Sequence, residues 1–455
     1  MANVAITTRA LDPLHEVQNA FCLIALGGEV RIADRREIAQ TLVGGRDEDV
    51  GMYKITPGQL LIRRFLETLP VDPDPKKIIA EFLASTSTKV FDTIAFDPRP
   101  TPPTTLNYWS GSPVAPVQGD WTVIQDFLLT IICDGDEDLY AYLTRYIAHM
   151  LKMPWEKPGV ILALLGGQGT GKGTFGEFLQ ALWPWTTLTV SNIDHVVGKY
   201  NAAIERNFVV WMDEALFAGD RKAMDRLKSF VTEKTVTVEQ KNQPRRSIRS
   251  FHRFFASSNH KHFAQVDADD RRFVFLKVSS ARQGDLAYWK EVYAAVSNPS
   301  VIAAAVHDLL SYDLSSFNVR QRPKTATHMD QKLCSLTGFD RYWFNVLRTG
   351  DFKPASDGSY PIGMGWQEEV FINTKSLLAG WKELDRPTRQ FGPQQDRDVH
   401  SALERVCPSA VPSRKLEHGS QKRGFQLPSL PVARAEFEHL MGGAVEWHDL
   451  AEVKA

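Results

Sequence analysis

The hydrophobic pattern changes from strand-like to helix-like around a glycine-rich stretch near the middle of the 455-residue chain. Residues Val160–Leu165 are uniformly apolar, which predicts a short buried strand. After the glycines, apolar residues recur at helical spacing through Phe175–Trp183, which predicts an amphipathic helix. A strand, a glycine-rich turn and a helix in this order form the context that a phosphate-binding loop requires.

The glycine-rich stretch itself has the spacing of a phosphate-binding loop. Its residues are Gly166, Gly167, Gln168, Gly169, Thr170, Gly171, Lys172, Gly173 and Thr174. Glycines allow backbone N–H groups to turn toward phosphate oxygens, and the N-terminus of the following helix adds its dipole. We expect Lys172 to reach the β- and γ-phosphates of a nucleotide. Gly173 stands where Ser or Thr is usual, so Thr174 either holds Mg²⁺ directly or contacts a phosphate while water holds the metal. A glycine-rich turn without a ligand is the competing interpretation.

A second apolar segment ends in two acids. Phe208–Met212 predicts a buried strand, and Asp213 and Glu214 follow it directly. Ligands of open α/β sheets bind at the carboxyl ends of the strands. We therefore expect Asp213 to hold Mg²⁺, directly or through water, and Glu214 to polarise the attacking water as a general base. Many strands end in acids, so this pair indicates a nucleotide site mainly because it follows Lys172 in the chain.

A basic hairpin is predicted after the acidic pair. Thr235–Glu239 alternates like a strand, Gln240–Pro244 favours a turn, and Arg245–Arg249 favours a return strand. Lysine and arginine on a hairpin suit contacts to phosphates that carry no sequence information. A solvated charged hairpin is the alternative. The candidate nucleic-acid ligands are Lys241, Arg245 and Arg246, and Arg249 and Arg253 add to the same basic segment.

Two more polar stretches follow. Phe251–Ala256 predicts a strand that leads to Asn259, which could sense the γ-phosphate and orient the water beside Glu214. Arg271 and Arg272 precede a last predicted strand, and either could act in trans as an arginine finger on the nucleotide of a neighbouring subunit. A surface salt bridge between Asp and Arg is the alternative for each arginine.

The order of these motifs resembles that of superfamily 3 helicases. The likeness is closest to the helicase portion of phage and prophage primase-helicases, which are related to poxvirus replication ATPases. The motifs lie within residues 166–259, and the resemblance extends over residues 100–440. It implies ATP and Mg²⁺ as cofactors, a homo-hexameric ring, single-stranded or forked DNA as the partner, and a role in replication of a phage or another mobile element. Longer members carry a primase-polymerase domain that we do not expect here, so a separate primase or polymerase is a further candidate partner.

The resemblance and the patterns together predict an α/β protein. We expect it to have a P-loop AAA+-like nucleotide hydrolase core, a helical N-terminal flank and a small C-terminal winged-helix-like domain. The C-terminal prediction rests on helices followed by a β wing with basic residues, and a domain that only packs is its alternative. The expected domains are an α+β region at 1–105, a helical collar at 106–157, the ATPase core at 158–280, a helical extension at 281–340 and the winged-helix-like domain at 341–455.

One segment imitates a different class of enzyme. Leu129–Cys133, followed by Asp134 and Asp136, resembles a strand that delivers two metal-binding carboxylates in a polymerase palm. A helix that ends at Asp134-Gly135, with acids beginning the next helix, is the favoured interpretation.

Composition narrows the remaining possibilities. The chain is 43% hydrophobic and 24% charged with a net charge of −1, which indicates a soluble globular protein without a global basic field. The four cysteines lie far apart in the sequence, so we expect free thiols in a reducing cytoplasm. If a phage encodes the chain, this is the cytoplasm of its bacterial host. No signal peptide or membrane-length apolar stretch is found, and we expect no membrane partner.

Two other functions remain open at this point. The first is a nucleotide-switched DNA-binding ATPase or loader that does not unwind. The second is a nucleotide kinase, because Gly167–Thr174 resembles the adenylate kinase loop.

Overall fold

The structure is a computed structural model that describes most of the chain. The described residues are 11–26, 28–36, 52–109, 111–215, 221–239, 245–259, 271–323, 325–352, 366–385, 395–417 and 420–447. They form two compact units, of which the first holds the described residues up to 259 and those at 276–323, and the second holds 271–275 and 325–447. The domain boundaries drawn from the sequence stay predictions.

The first unit begins with a small mixed sheet and three helices. Its elements are α1 (Pro13–Ala20), β1 (Phe21–Leu26), β2 (Glu29–Asp34), β3 (Met52–Lys54), α2 (Ile55–Leu66), α3 (Pro75–Ala84) and β4 (Val90–Phe91). The strands are ordered β3-β2-β1-β4, with β2 antiparallel and β4 parallel to β1. Asp12 caps α1 by accepting a hydrogen bond from the Leu14 N–H, and Pro13 occupies the first turn. Phe21, Ile32 and Phe82 are fully buried between this sheet and its helices.

A short parallel pair, β5 (Thr93–Ala95) and β6 (Thr105–Asn107), leads into helices α4 (Thr122–Asp126) and α5 (Glu137–Lys152). Between them, Phe127–Ile132 forms a π-helix, so the polymerase-palm interpretation of this segment is wrong. The apolar run is helical because its buried side chains pack on one side, and the chain then reverses at Asp134 and Gly135, whose φ angles are 51° and 79°. Asp136 caps α5 rather than binding a metal, since its side chain accepts from the Leu139 N–H.

The central sheet is built from five strands, with helices before and after them along the chain. Its strands are β7 (Ile161–Leu165), β8 (Thr187–Val190), β9 (Val209–Asp213), β12 (Arg253–Ser258) and β13 (Phe273–Lys277). The remaining elements are α6 (Lys172–Leu182), α7 (Asp194–Val197), a 3₁₀ turn (Ala202–Ile204), α8 (Arg221–Thr232), the pair β10 (Thr235–Val238) and β11 (Arg246–Arg249), α9 (Leu286–Val296) and α10 (Pro299–Ser311).

The order of the central sheet is β13-β7-β12-β9-β8, and β7, β12, β9 and β8 run parallel. The chain therefore has a mixed α/β fold, and the predicted strands before the glycine-rich loop and before the acidic pair are confirmed. β12 lies between β7 and β9, which brings the carboxyl ends of all three strands to one edge. Strand β7 is buried along its whole length, as its continuous apolar sequence predicts.

The second unit combines helices with a three-stranded antiparallel sheet. Its helices are α11 (Ala326–Cys334), α12 (Gly338–Thr349), α13 (Thr374–Asp385), α14 (Asp396–Val406) and α15 (Leu430–Met441). Its strands β14 (Val370–Asn373), β15 (Val411–Glu417) and β16 (Ser420–Leu427) are ordered β14-β16-β15. Trp343, Trp366 and Phe437 are fully buried in its core.

All four cysteines are free thiols. Among the described helices, none has both the length and the apolar character needed to cross a membrane.

Candidate nucleotide-binding site

The glycine-rich loop connects the end of β7 to the start of α6. Gly169 and Gly171 have φ angles of 73° and 95°, a left-handed conformation that favours glycine. Within the described part of the chain, the backbone N–H groups of residues 167–174 donate to no other protein group. Because these donors stand at a helix N-terminus, where the helix dipole also favours negative charge, the loop is suited to hold an anion such as a phosphate.

Lys172 lies inside this loop and is only 7% exposed. Its Nζ donates to the carbonyl oxygens of Gly166 at 2.9 Å and Gly167 at 2.7 Å, and to Asn259 Oδ1 at 2.7 Å. Burial lowers the pKa of Lys172, while the nearby carboxylates of Glu214 and Asp213 oppose that shift. All three ammonium donors are therefore engaged, and binding of a phosphate requires Lys172 to exchange at least one of these partners.

The two acids lie at the end of β9. Asp213 Oδ1 accepts a 2.5 Å hydrogen bond from the Ser257 hydroxyl on β12. Glu214 has a φ of 51°, which is a strained conformation for a residue other than glycine and costs about 1–2 kcal/mol. Its N–H donates to the Ser257 carbonyl, and its Oε2 accepts from the Asn259 N–H at 3.1 Å. The structure thus brings Glu214, Asn259 and Lys172 together, while their catalytic roles stay predictions.

A wall of the loop comes from α9 and the segment just before it, which the sequence pattern does not connect with the site. The Gln283 side chain donates to the Gln168 carbonyl oxygen at 2.9 Å. A Cβ atom placed on Gly171 would lie 2.4 Å from the Trp289 ring, whose Nε1 is anchored on the Arg282 carbonyl oxygen at 2.7 Å. From the sequence, Trp289 could be recognised only as a core residue, because nothing in its local pattern indicates a partner more than a hundred residues earlier.

The predicted Mg²⁺ ligands suit that ion chemically. Thr174 lies in the first turn of α6 and Asp213 is exposed at the end of β9. A hydroxyl and a carboxylate oxygen are the hard ligands that Mg²⁺ prefers, and Mg²⁺ commonly completes its shell with water and substrate phosphates. Among the described residues, no cluster of three or more His, Cys, Asp or Glu side chains could hold a metal by itself. A metal here would therefore depend on the nucleotide for part of its coordination.

The predicted hairpin forms as two antiparallel strands, with Thr235 opposite Arg249 and Val238 opposite Arg246. Lys241 and the expected turn lie outside the described residues, as does the Arg246 side chain. The Arg245 side chain is 69% exposed, and its Nε donates to Glu239 Oε2 at 2.6 Å. At the other end of β11, Arg249 is paired with Asp97 at 3.3 Å.

Arg253 is not part of a basic surface, and its inclusion in the basic segment is wrong. Its side chain is fully buried and donates to the carbonyl oxygens of Phe251 at 2.8 Å, Pro154 at 3.1 Å and Glu156 at 2.6 Å. Burial lowers the pKa of Arg253 to about 10. Arg253 is the first residue of β12 and therefore lies at the end of this strand that is farthest from the glycine-rich loop.

The two candidate finger residues immediately precede β13. Arg271 is exposed and Arg272 is half-buried. Both belong to the second unit, and a role on the nucleotide of a neighbouring subunit stays a prediction for each.

The fold and the site define a class: a mixed α/β protein with a glycine-rich loop at the carboxyl ends of parallel strands. Residues 164–272, which include the loop, the acidic pair and Asn259, match the model of a family of unknown function, DUF5906. The chain is also similar to the DNA primase-polymerase of Nitratiruptor phage NrS-1. The two are 24% identical over 246 residues, a match that covers 51% of this chain and spans only 33% of that protein.

Solved structures of the C-terminal region of NrS-1 have a similar fold. One apo structure, the A form, is 15% identical, covers 92% of this chain and 100% of the solved chain, and has a TM-score of 0.62. Another apo structure is 17% identical with the same coverage and a TM-score of 0.61. At these identities the likeness shows the fold.

Proposed function

We propose that the chain is an ATP-dependent nucleic-acid motor, a helicase or translocase that acts on single-stranded or forked DNA in the replication of a phage or another mobile element. The observation that carries this proposal is the row of N–H groups at 167–174, which donate to no group among the described residues, with Lys172 and Asn259 at the same point. The similarity to a phage DNA primase-polymerase supports the replication role.

In this proposal, the ATP phosphates bind the N–H groups of the loop, and Lys172 exchanges a carbonyl partner for a β- or γ-phosphate oxygen. Thr174 and Asp213 would hold Mg²⁺, which supplies neutralising charge to the phosphates when bound. Glu214 polarises the attacking water as general base. Asn259 contacts both Lys172 and Glu214, so it is placed to respond to loss of the γ-phosphate.

The proposed coupling to DNA runs through β12, which begins four residues after the end of β11 and ends beside Asn259. The first strand of the hairpin is anchored near the predicted turn, because Asn201 donates to the Thr237 carbonyl and accepts from the Glu239 N–H. Six hairpins carrying Lys241 would line the channel of a homo-hexameric ring and follow the phosphates of one strand. Arg271 or Arg272 of a neighbouring subunit would act on the nucleotide, and the assembly would work in the host cytoplasm.

Two substitutions test the nucleotide site. Lys172→Ala removes the lysine that meets the phosphates, and Glu214→Gln removes the base while preserving its shape. We expect each to lower ATP hydrolysis, measured as phosphate release, by at least about a hundredfold. Glu214→Gln should still bind a fluorescent ATP analogue. Lys290→Ala and Glu177→Gln change exposed residues on α9 and α6 and serve as matched controls that should hydrolyse ATP normally.

The hairpin is tested by Lys241→Ala, with Lys234→Ala at the exposed base of the hairpin as its control. The first should weaken binding of single-stranded DNA across a salt series and leave basal hydrolysis intact. Unwinding of a forked substrate, with the assembly state measured with and without ATP, separates the alternatives. A loader hydrolyses ATP in response to DNA without separating strands, and a nucleotide kinase transfers phosphate to a nucleoside monophosphate.

A further inference from the structure

The β15–β16 ribbon of the second unit carries four cations in direct cross-strand pairs. The register places Arg414 opposite Arg423 and Lys415 opposite Lys422. All four side chains are exposed. No carboxylate among the described side chains forms an ion pair with any of them. Like charges directly opposite each other destabilise a ribbon, so this arrangement has a cost that folding alone does not explain.

The two pairs lie on opposite faces of the ribbon. Cross-strand partners share a face, and successive residues alternate between faces. Arg414 and Arg423 therefore occupy one face, and Lys415 and Lys422 occupy the other. A ribbon that is cationic on both faces is complementary to a site with an anionic wall on each side.

The base of the ribbon packs against the core of the unit, so the backbone that carries the four cations is fixed there. Phe425 and Leu427 are buried in the core of the unit. Gly424 packs so closely against β14 that a Cβ atom there would lie 2.1 Å from the Ile372 carbonyl oxygen. Beyond this base, Leu416 is 72% exposed and continues the ribbon toward solvent.

The helix before the ribbon has the opposite character. In helix-turn-helix modules a recognition helix enters the major groove. Here α14 carries three acids, Asp396, Asp398 and Glu404, against two arginines. One of those arginines, Arg405, is bonded to Asp340, and the other, Arg397, lies 3.7 Å from Asp398. This helix is therefore poorly suited to a phosphate backbone, and the ribbon is the cationic element of the unit.

We propose that the β15–β16 ribbon is a second nucleic-acid site, which binds duplex DNA by entering the major groove between its two phosphate backbones. The major groove, about 12 Å wide, admits a two-stranded ribbon. Each cationic face then meets one backbone, whereas a single strand or a flat anionic membrane offers only one wall. The contacts are to phosphates, so binding is independent of sequence and depends strongly on salt.

Charge reversal gives a test that unfolding cannot imitate. Arg414→Glu and Lys422→Glu each place opposite charges across the ribbon, so each should raise Tm slightly. Each should also weaken binding of a 20-base-pair duplex by at least about tenfold and reduce the slope of log K against log salt by about one unit. Arg397→Glu on α14 is the matched control and should leave duplex binding unchanged.

The binding is measured by fluorescence anisotropy without nucleotide on the full chain, with single-stranded DNA and anionic phosphatidylserine vesicles in parallel. Loss of duplex binding in both variants, larger than the loss for single strands, supports the ribbon as a duplex site. Unchanged duplex binding, loss in only one variant, or loss confined to vesicles overturns it. Basal ATP hydrolysis of both variants should match wild type, and Lys172→Ala should bind duplex normally, so failure of this site and failure of the proposed ATPase are distinguishable.

Discussion

Gly171→Ala tests the described shape of the glycine-rich loop. Gly171 has a φ of 95°, and its added Cβ would lie 2.4 Å and 2.9 Å from two atoms of the Trp289 ring and 3.0 Å from Phe127. A left-handed conformation costs a residue with a side chain about 1–2 kcal/mol, and overpacking costs about 1–3 kcal/mol. The Trp289 ring cannot yield easily, because its Nε1 is bonded to the Arg282 carbonyl oxygen. We therefore expect the free energy of unfolding to fall by about 2–5 kcal/mol.

Gly173→Ala is the matched control two residues later. Gly173 is exposed in the first turn of α6, its φ is not positive, and no heavy atom lies within 4 Å of an added Cβ. Alanine is the better helix former, so this change should raise the free energy of unfolding by up to about 1 kcal/mol. The two substitutions are chemically identical and should move stability in opposite directions.

Thermal and urea unfolding of the two variants and wild type measure the difference. At roughly 1–2 °C per kcal/mol for a unit of this size, the Tm values of the two variants should differ by at least a few degrees. Adding Trp289→Leu to Gly171→Ala should restore the part of the unfolding free energy that overpacking removes, while the part due to backbone strain stays lost. A double-mutant cycle separates the two parts. Equal stabilities of the two alanine variants would refute the described loop conformation.

Two further predictions concern the edge of the sheet opposite the loop. His252 is buried, with Nε2 donating to the Ile204 carbonyl and Nδ1 accepting from Ser250, and burial, reinforced by Lys157, lowers its pKa to about 3. Below about pH 6.5 this histidine takes up a proton in the unfolded state but not in the folded state. His252 should therefore lower the free energy of unfolding by about 2 kcal/mol between pH 7 and pH 5. In urea unfolding, His252→Gln should lose that part of the pH dependence. Arg253→Met leaves buried carbonyl oxygens without donors and should lower the free energy of unfolding by about 3–5 kcal/mol, whereas Arg245→Met, at an exposed position, should change it by less than about 1 kcal/mol.

The sequence predicts the strand, loop and helix around Lys172 because each of these elements has a local signal. Val160–Leu165 is continuously apolar, the glycines mark a turn, and Phe175–Trp183 has helical spacing. The acidic pair is predictable for the same reason, since it directly follows an apolar strand.

What the sequence could not predict depends on long-range packing. Arg253 looks like one more cation of a basic segment, but the carbonyl oxygen of Glu156, 97 residues earlier, makes it a buried donor. The positive φ of Glu214 depends on its N–H reaching the Ser257 carbonyl on a neighbouring strand. Neither partner is visible in the local pattern, because the order of the strands in the sheet decides which residues meet.

The central claim, that nucleotide is split at the edge formed by Lys172, Glu214 and Asn259, is tested most directly by ATP turnover in Glu214→Gln. The purified wild-type chain should hydrolyse ATP, and the variant should bind ATP with similar affinity while its turnover falls by at least about a hundredfold. Turnover of the variant at the wild-type rate, or a wild-type chain that binds no ATP, would contradict the claim.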